Sequence, residues 1–218
     1  MISKNDYALA GLIGFFAGMF VIPVFYNIGM YDIRMRDPFF LLALPWAIAI
    51  GSLAGMAIAG VLGKKFSFIL QFAKFVVVGV LNTAIDFGVL NIISLVTGFT
   101  SGFIIGGVNI PGVALALTNA YLWNKLWVFG ARDGKGLFHD LPKFLLISGI
   151  GVVINSGIVI LATSYPVQSI DAQTWLNVAK IMATGFSLVW NFLGYKFIVF
   201  SKKPDVPMVQ PRAPIAPL

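Results

Sequence analysis

The chain has 218 residues, of which 59% are hydrophobic and only 11% are charged. A soluble domain carries about a quarter charged residues, so this composition excludes an ordinary soluble protein. The chain contains neither Cys nor Glu, which excludes disulfides, thiolate catalysis and Cys-ligated metal. Its net charge of +7 is distributed over the ends of apolar segments, so we expect no nucleic acid partner.

Six apolar segments divide the chain, and each is long enough to cross a bilayer as a helix. They cover residues 7–30, 39–62, 75–97, 108–129, 144–163 and 176–199. A helix of about 20 residues spans a hydrocarbon core that is roughly 30 Å thick. Backbone polar groups in lipid must be satisfied within the segment, which favours helices here. The sequence therefore predicts an all-α membrane protein with six transmembrane helices.

The basic residues predict the orientation of these helices. Of the 15 Lys and Arg residues, twelve lie at one set of alternating segment ends, and only Arg34, Arg36 and Lys180 lie at the other. The positive-inside rule then places both termini on the cytoplasmic side of the cell (inner) membrane. We expect the basic side to contact anionic lipid headgroups.

The chain divides into three parts. Residues 1–63 are predicted to form an N-terminal transmembrane hairpin, in which the small residues Gly51, Gly55 and Ala59 predict close helix contact. Residues 64–201 form a four-helix domain that begins with a short amphipathic interfacial helix at 64–74. The tail, 202–218, is rich in proline and is predicted to be a disordered cytoplasmic segment.

The four-helix domain contains a weak internal repeat. Lys74 and Asp86 align with Lys143 and Asn155 at an offset of 69 residues, and Lys125 aligns with Lys196 at an offset of 71. Each unit is a two-helix hairpin, so the two repeats are parallel in the membrane. Parallel repeats place binding sites between them.

Polar residues at membrane depth are costly and are the first candidates for a site. Asp86 lies near the middle of the third segment, with Asn82 one turn earlier, and Thr83 can bond the helix backbone. We expect Asp86 to face the interior between the hairpins, within reach of Asn82 or of polar groups on the fifth segment. The alternative is that these groups only hold helices together. The other candidates for substrate binding are Asn119, Trp123, Asn124, Lys125, Asn155, Lys180, Trp190, Asn191 and Lys196.

Two motifs, FAKFVVVGVLNTAIDFGVLNII and TNAYLWNKLWVF, carry a resemblance to the GtrA-like family of small membrane proteins, and the second hairpin repeats them more loosely. The resemblance implies translocation of polyprenyl-phosphate-linked sugar for cell-surface polysaccharide synthesis. It also implies a membrane glycosyltransferase as a partner. In this interpretation the phosphate meets Lys125, Lys196 or the lysines of the amphipathic segment 64–74, and the sugar passes Asn82, Asp86, Asn119 and Asn155. No cofactor or metal is expected.

Two other functions stay open from the sequence. The protein could anchor a polyprenyl-phosphate glycosyltransferase without transporting anything, or it could export a small solute with Asp86 as the proton-binding group. An enzyme is not expected, because the sequence offers no carboxylate pair, nucleophile–base pair or metal cluster. The sugar, the lipid carrier, the direction of transport and a homo-oligomeric state are left open.

Overall fold

The computed structural model describes residues 2–28, 36–98, 104–130, 136–165 and 172–201. Within these ranges the chain forms helices and no strands, which confirms the predicted all-α class. The six α-helices are α1 (Lys4–Ile28), α2 (Pro38–Leu62), α3 (Ser67–Thr97), α4 (Ile104–Trp123), α5 (Leu141–Ser164) and α6 (Ala172–Gly194). The predicted tail at 202–218 lies outside the described residues.

Three helices are long and apolar enough to cross a membrane among the residues that the structure describes. These spans are Lys4–Asn27, Pro38–Leu62 and Phe68–Thr97, and α5 adds a shorter apolar stretch at Leu141–Ile154. The protein is therefore a membrane protein. The full count of six spans, the division into domains and the repeat remain predictions.

Helix α3 overturns one prediction about local structure. The segment 64–74 does not form a separate interfacial helix, because α3 runs without a break for 31 residues from Ser67 to Thr97. No proline or polar cluster interrupts the chain at the expected boundary, so the amphipathic residues are the first turns of α3. At roughly 1.5 Å per residue, a helix of this length exceeds the thickness of the hydrocarbon core.

Helices α4 and α6 both end in a π-helical segment. These segments are Asn124–Val128 and Tyr195–Val199, and they lie 71 positions apart, which is the offset seen in the sequence. Each ends where a phenylalanine N–H donates to the carbonyl oxygen five residues earlier: Phe129 to Asn124 at 2.9 Å, and Phe200 to Tyr195 at 2.8 Å. Such segments are rare, and they often occur at functional sites.

Glycines of α1 form the close contact between α1 and α2. A Cβ built at Gly14 would lie 2.8 Å from the Cα of Ala49, and one built at Gly18 would collide with the backbone of Pro45. The predicted contact through Gly51 and Gly55 is wrong, because no atom lies within 4 Å of a Cβ at either position. The small residues that pack are the pair on the other helix of the hairpin.

Helix α1 also packs against α3. The backbone of Phe20 lies against Gly88, and Asn27 Nδ2 donates to Asn91 Oδ1 at 2.7 Å. Because polar groups find few partners in a bilayer, an amide–amide bond of this kind holds the two helices in register. The N-terminal hairpin is thus attached to the four-helix domain along α3.

An aromatic cluster joins the α3–α4 and α5–α6 hairpins at the end of the bundle that holds Lys74, Lys125 and Lys196, here called the basic end. The ring of Phe75 packs edge-on to Tyr195 at 5.8 Å, and Tyr121 packs edge-on to Phe144 at 5.3 Å. Tyr195 also stacks on Phe144 at 4.7 Å. Aromatic pairs in these geometries contribute about 0.5–1.5 kcal/mol each beyond area burial.

The two small-residue pairs offer a matched test of the α1–α2 contact. Gly18→Val should destabilise the protein by about 1–3 kcal/mol, because the new side chain overlaps Pro45. Gly51→Val should change stability far less, because that position is open. Unfolding of the purified variants in mixed micelles measures both. A larger loss from Gly51→Val than from Gly18→Val would contradict this packing.

Candidate functional site

Two asparagines predicted at the site meet across the first hairpin of the four-helix domain. Asn119 Nδ2 on α4 donates to Asn82 Oδ1 on α3 at 2.6 Å. Thr83 is exposed, and its hydroxyl donates to the carbonyl oxygen of Gly79 at 3.0 Å, as its sequence position indicated. The asparagine pair thus fixes α4 on α3. Asn119 Oδ1 and Asn82 Nδ2 are not used in this bond and have further hydrogen-bonding capacity.

Asp86 lies one helical turn beyond Asn82 and packs against α4. A Cβ built at Gly112 would lie 2.8 Å from the backbone carbonyl oxygen of Asp86 and 3.2 Å from its Oδ1, so the glycine lets α4 approach α3 closely beside the carboxylate. Oδ1 is buried and has no hydrogen-bond donor. Its predicted contact with α5 stays a prediction, because the side chain of Asn155 lies outside the described residues.

Asn124 lies at the start of the first π-helical segment and is only 1% exposed. Its Nδ2 donates to the carbonyl oxygen of Ala120 at 2.7 Å, whereas its Oδ1 has no donor. The preceding residue, Trp123, is half-buried, and its ring packs edge-on to Trp127 at 6.0 Å. The hydrogen bond from Nδ2 therefore orients the amide of Asn124, and its Oδ1 stays unpaired.

The second hairpin repeats this arrangement with other residues. Trp190 Nε1 donates to the carbonyl oxygen of Ile147 at 3.1 Å, which joins α6 to α5. The amide of Asn191 lies directly over Gly151, where a Cβ would come within 2.5 Å of Oδ1. This Oδ1 is buried and has no donor.

Three buried side-chain oxygens without a donor occur in the part of the chain that the structure describes: Asp86 Oδ1, Asn124 Oδ1 and Asn191 Oδ1. All three belong to residues predicted from the sequence to bind substrate. Leaving a buried acceptor unpaired costs about 1–3 kcal/mol, so such groups are uncommon without a reason. Each of these three oxygens can accept a hydrogen bond and has no donor.

Lys125 does not have the role expected from its sequence position. Its Nζ contacts Asp140 Oδ2 at 2.9 Å and donates to the carbonyl oxygen of Leu137 at 3.0 Å, and the side chain is only 3% exposed. The ammonium is neutralised and enclosed within the protein, so it does not present a charge to a lipid phosphate. Lys125 instead anchors the segment before α5 to the end of α4.

Lys196 has a different environment although it is the aligned lysine. It is half-buried and lines an open pocket of about 290 Å³ at the basic end, together with Phe68, Leu70, Gln71, Lys74 and Val128. Gln71 Nε2 donates to the carbonyl oxygen of Val128 at 3.3 Å. The pocket thus contains two ammonium groups and one amide. The remaining candidate, Lys180, lies in α6, and its side chain is outside the described residues.

Asp6 is the site residue that the sequence analysis missed. Its Oδ1 lies 2.5 Å from Lys74 Nζ and accepts a hydrogen bond from Trp127 Nε1 at 3.0 Å. Ser3 and Asp6 also bond reciprocally, with Ser3 N donating to Oδ2 and Asp6 N donating to the Ser3 hydroxyl. This capping-box pattern, Ser-x-x-Asp, was the sequence signal available for it.

The fold and the site define a class: a helical membrane protein whose two hairpins carry polar groups inside and cations at one end. Residues 74–200 match the family described as "GtrA/DPMS, transmembrane domain". The match covers more than half of the chain, so the protein belongs to this family, and the predicted resemblance is confirmed. The family supports a role as a membrane protein of glycan-precursor synthesis.

A bacterial membrane protein is also similar to this chain. The chain is 32% identical over 130 residues to the uncharacterized membrane protein YngA of Bacillus subtilis (strain 168), across 58% of this chain and 77% of that protein. No solved structure shows significant similarity to the chain. Asp6 and the rest of the N-terminal hairpin lie outside the residues matched to the family.

The two aligned lysines give a prediction on stability. Lys125→Gln should destabilise the protein by about 3–5 kcal/mol, because it leaves Asp140 buried without its partner. Lys196→Gln should cost less than about 1 kcal/mol, since Lys196 is more exposed and lines an open pocket. Denaturant unfolding in micelles measures the difference. Equal stability of the two variants would contradict the anchoring role of Lys125.

Proposed function

We propose that the protein translocates a polyprenyl-phosphate-linked sugar across the cell membrane for polysaccharide or glycan synthesis, without catalysing a reaction. The observation that carries this proposal is the set of buried oxygens without donors on Asp86, Asn124 and Asn191. A sugar is rich in hydroxyl groups, and each hydroxyl can donate one hydrogen bond to such an acceptor. We expect a membrane glycosyltransferase to supply the lipid-linked sugar.

The pocket at the basic end suits the phosphate of such a lipid. Lys74, Lys196 and Gln71 line it, so two cations and an amide donor converge on a space of about 290 Å³. Ammonium groups form charge-assisted hydrogen bonds with phosphate oxygens. In this proposal Lys196 and Lys74, a lysine of the amphipathic segment 64–74, keep their predicted role as phosphate partners, and Lys125 does not.

An apolar cleft that α3 also lines suits the lipid chain. It has a volume of about 440 Å³ and lies between α2 and α3, lined among others by Gly51, Gly55, Ala73 and Val80. Both cavities are lined by residues of α3, and Ala73 of the cleft is next in sequence to Lys74 of the pocket. A polyprenyl chain in the cleft would stay in the apolar phase while its phosphate meets the lysines.

The proposal includes six transmembrane helices with both termini in the cytoplasm. The chain has no natural Cys, so single cysteines can report the side of each loop. Gly136→Cys precedes α5, and Tyr165→Cys follows it at an exposed position. In intact cells an impermeant maleimide should label only the cysteine at position 165. External labelling at position 136 would contradict this topology.

Replacing an unpaired acceptor by an apolar side chain of the same shape should separate function from stability. Asn191→Leu removes a buried oxygen that has no donor, so we expect equal or higher thermal stability. The same variant should slow flipping of labelled polyprenyl-phosphate sugar in proteoliposomes by about tenfold, as expected for one lost hydrogen bond in the transit path.

Asn91→Leu is the matched control. Asn91 accepts a hydrogen bond from Asn27 on α1 and donates one to the carbonyl oxygen of Phe87. Because both of its amide atoms are already paired, its replacement should lower stability and leave the flipping rate nearly unchanged. If the unaltered protein flips the lipid no faster than liposomes without protein, the transport proposal is wrong, and the role of an anchor for a glycosyltransferase is favoured. Normal flipping by Asn191→Leu would remove that oxygen from the path.

A further inference from the structure

Asp6 lies outside the residues matched to the family, yet its carboxylate contacts Lys74, the first matched residue. Lys74 Nζ is 2.5 Å from Asp6 Oδ1, and Lys74 also lines the pocket that contains Lys196. The N-terminal hairpin therefore supplies a negative charge to a pocket built by the four-helix domain.

The contacts around Asp6 hold this charge in one place. Trp127 Nε1 donates to Oδ1 at 3.0 Å, and the backbone N–H of Ser3 donates to Oδ2 at 3.0 Å. The ring of Trp127 also lies 5.4 Å from Lys74 Nζ, which adds a cation–π contact. The side chains of Asp6 and Lys74 are only 13% and 15% exposed, so water screens the pair incompletely.

Among the residues that the structure describes, the charges that line the pocket or contact its lysines come from Lys74, Lys196 and Asp6, which together give a net charge of +1. Lipid-linked phosphates differ in charge. A phosphodiester, in which a sugar occupies one oxygen, carries one negative charge. A phosphomonoester has a second ionisation near pH 6, and it carries about 1.5 to 2 negative charges at neutral pH.

We infer that Asp6 is a specificity-determining residue, which lowers the charge of the pocket from two to one and so shifts its preference away from a lipid phosphomonoester and toward a lipid phosphodiester. The inference rests on the proposed function, because it assigns the anion class of the same pocket. Loaded and spent carrier differ in this charge: polyprenyl-phosphate sugar is the diester, and polyprenyl phosphate without its sugar is the monoester. Asp6 thus discriminates against the carrier that has lost its sugar.

Binding of two lipids to the purified full chain tests the inference. The probes are polyprenyl phosphate and polyprenyl phosphoglucose of equal chain length, titrated at pH 8. Asp6→Asn raises the pocket charge to two. The ratio of the affinity for the monoester to the affinity for the diester should therefore increase by about fivefold. Lys74→Gln lowers the pocket charge to zero and should move the ratio toward the diester by a similar factor.

The double variant Asp6→Asn/Lys74→Gln restores the net charge of one without restoring the ion pair. Its affinity ratio should therefore return to within about twofold of the unaltered protein. If Asp6 has only a structural role, Asp6→Asn should weaken the binding of both lipids equally, and adding Lys74→Gln should not restore it. Lys143→Gln is the control, because this exposed lysine aligns with Lys74 in the repeat but does not line the pocket.

The outcomes separate this inference from the proposed function. If both lipids bind and Asp6→Asn leaves their ratio unchanged, Asp6 is not a specificity residue and the proposed function stands. If the unaltered protein binds neither lipid, the proposed function fails, and the inference fails with it. Should Asp6→Asn not fold, Lys74→Gln gives the same test with the opposite sign.

Discussion

The hydrocarbon core of a bilayer contains no water, so two helices gain little there from burying apolar side chains against each other. Association depends instead on close backbone approach and on polar groups that find no other partner. Both occur in this protein. Gly14 and Gly18 allow α2 to approach the backbone of α1, and the Asn82–Asn119 bond joins α3 to α4. The aromatic cluster at the basic end then joins the two hairpins of the domain.

Because water is absent from the hydrocarbon core, polar groups that remain unpaired there are also costly. Where a helix contact needs a polar bond, the structure provides one, as between Asn27 and Asn91. Asp86 and Asn191 instead lie against glycines with a free acceptor, so their side chains do not contribute a bond through that oxygen. Helix–helix adhesion through these oxygens therefore does not account for their burial.

The sequence predicted the helices well, because length and hydropathy are local properties. Over the described residues the six predicted segments are helical, and Asn82 of α3 bonds Asn119 of α4. Predictions that depend on which neighbour a face meets were less successful. The spacing of Gly51 and Gly55 is the same kind of signal as that of Gly14 and Gly18, and only the fold decides which pair packs.

The two aligned lysines show that the repeat in the sequence does not predict whether a charge is paired. Lys125 and Lys196 are aligned in the sequence and both follow the start of a π-helical segment. Asp140 precedes α5 and reaches Lys125, whereas Lys196 has no such acid in the tail that follows it within the described residues. A repeat predicts equivalent backbone positions, but the neighbouring loop determines whether a charge is neutralised.

The N-terminal hairpin cannot be treated as a separate addition to the family domain. Its Asp6 contacts Lys74 and Trp127, and its Phe20 and Asn27 contact Gly88 and Asn91. Removing the hairpin would therefore leave Lys74 without its counter-ion and uncover Gly88 of α3. Loss of function after such a deletion would not distinguish a missing scaffold from an altered anion pocket. Single substitutions at Asp6 and Lys74 make that distinction, because they change the charge of the pocket while the helix contacts stay in place.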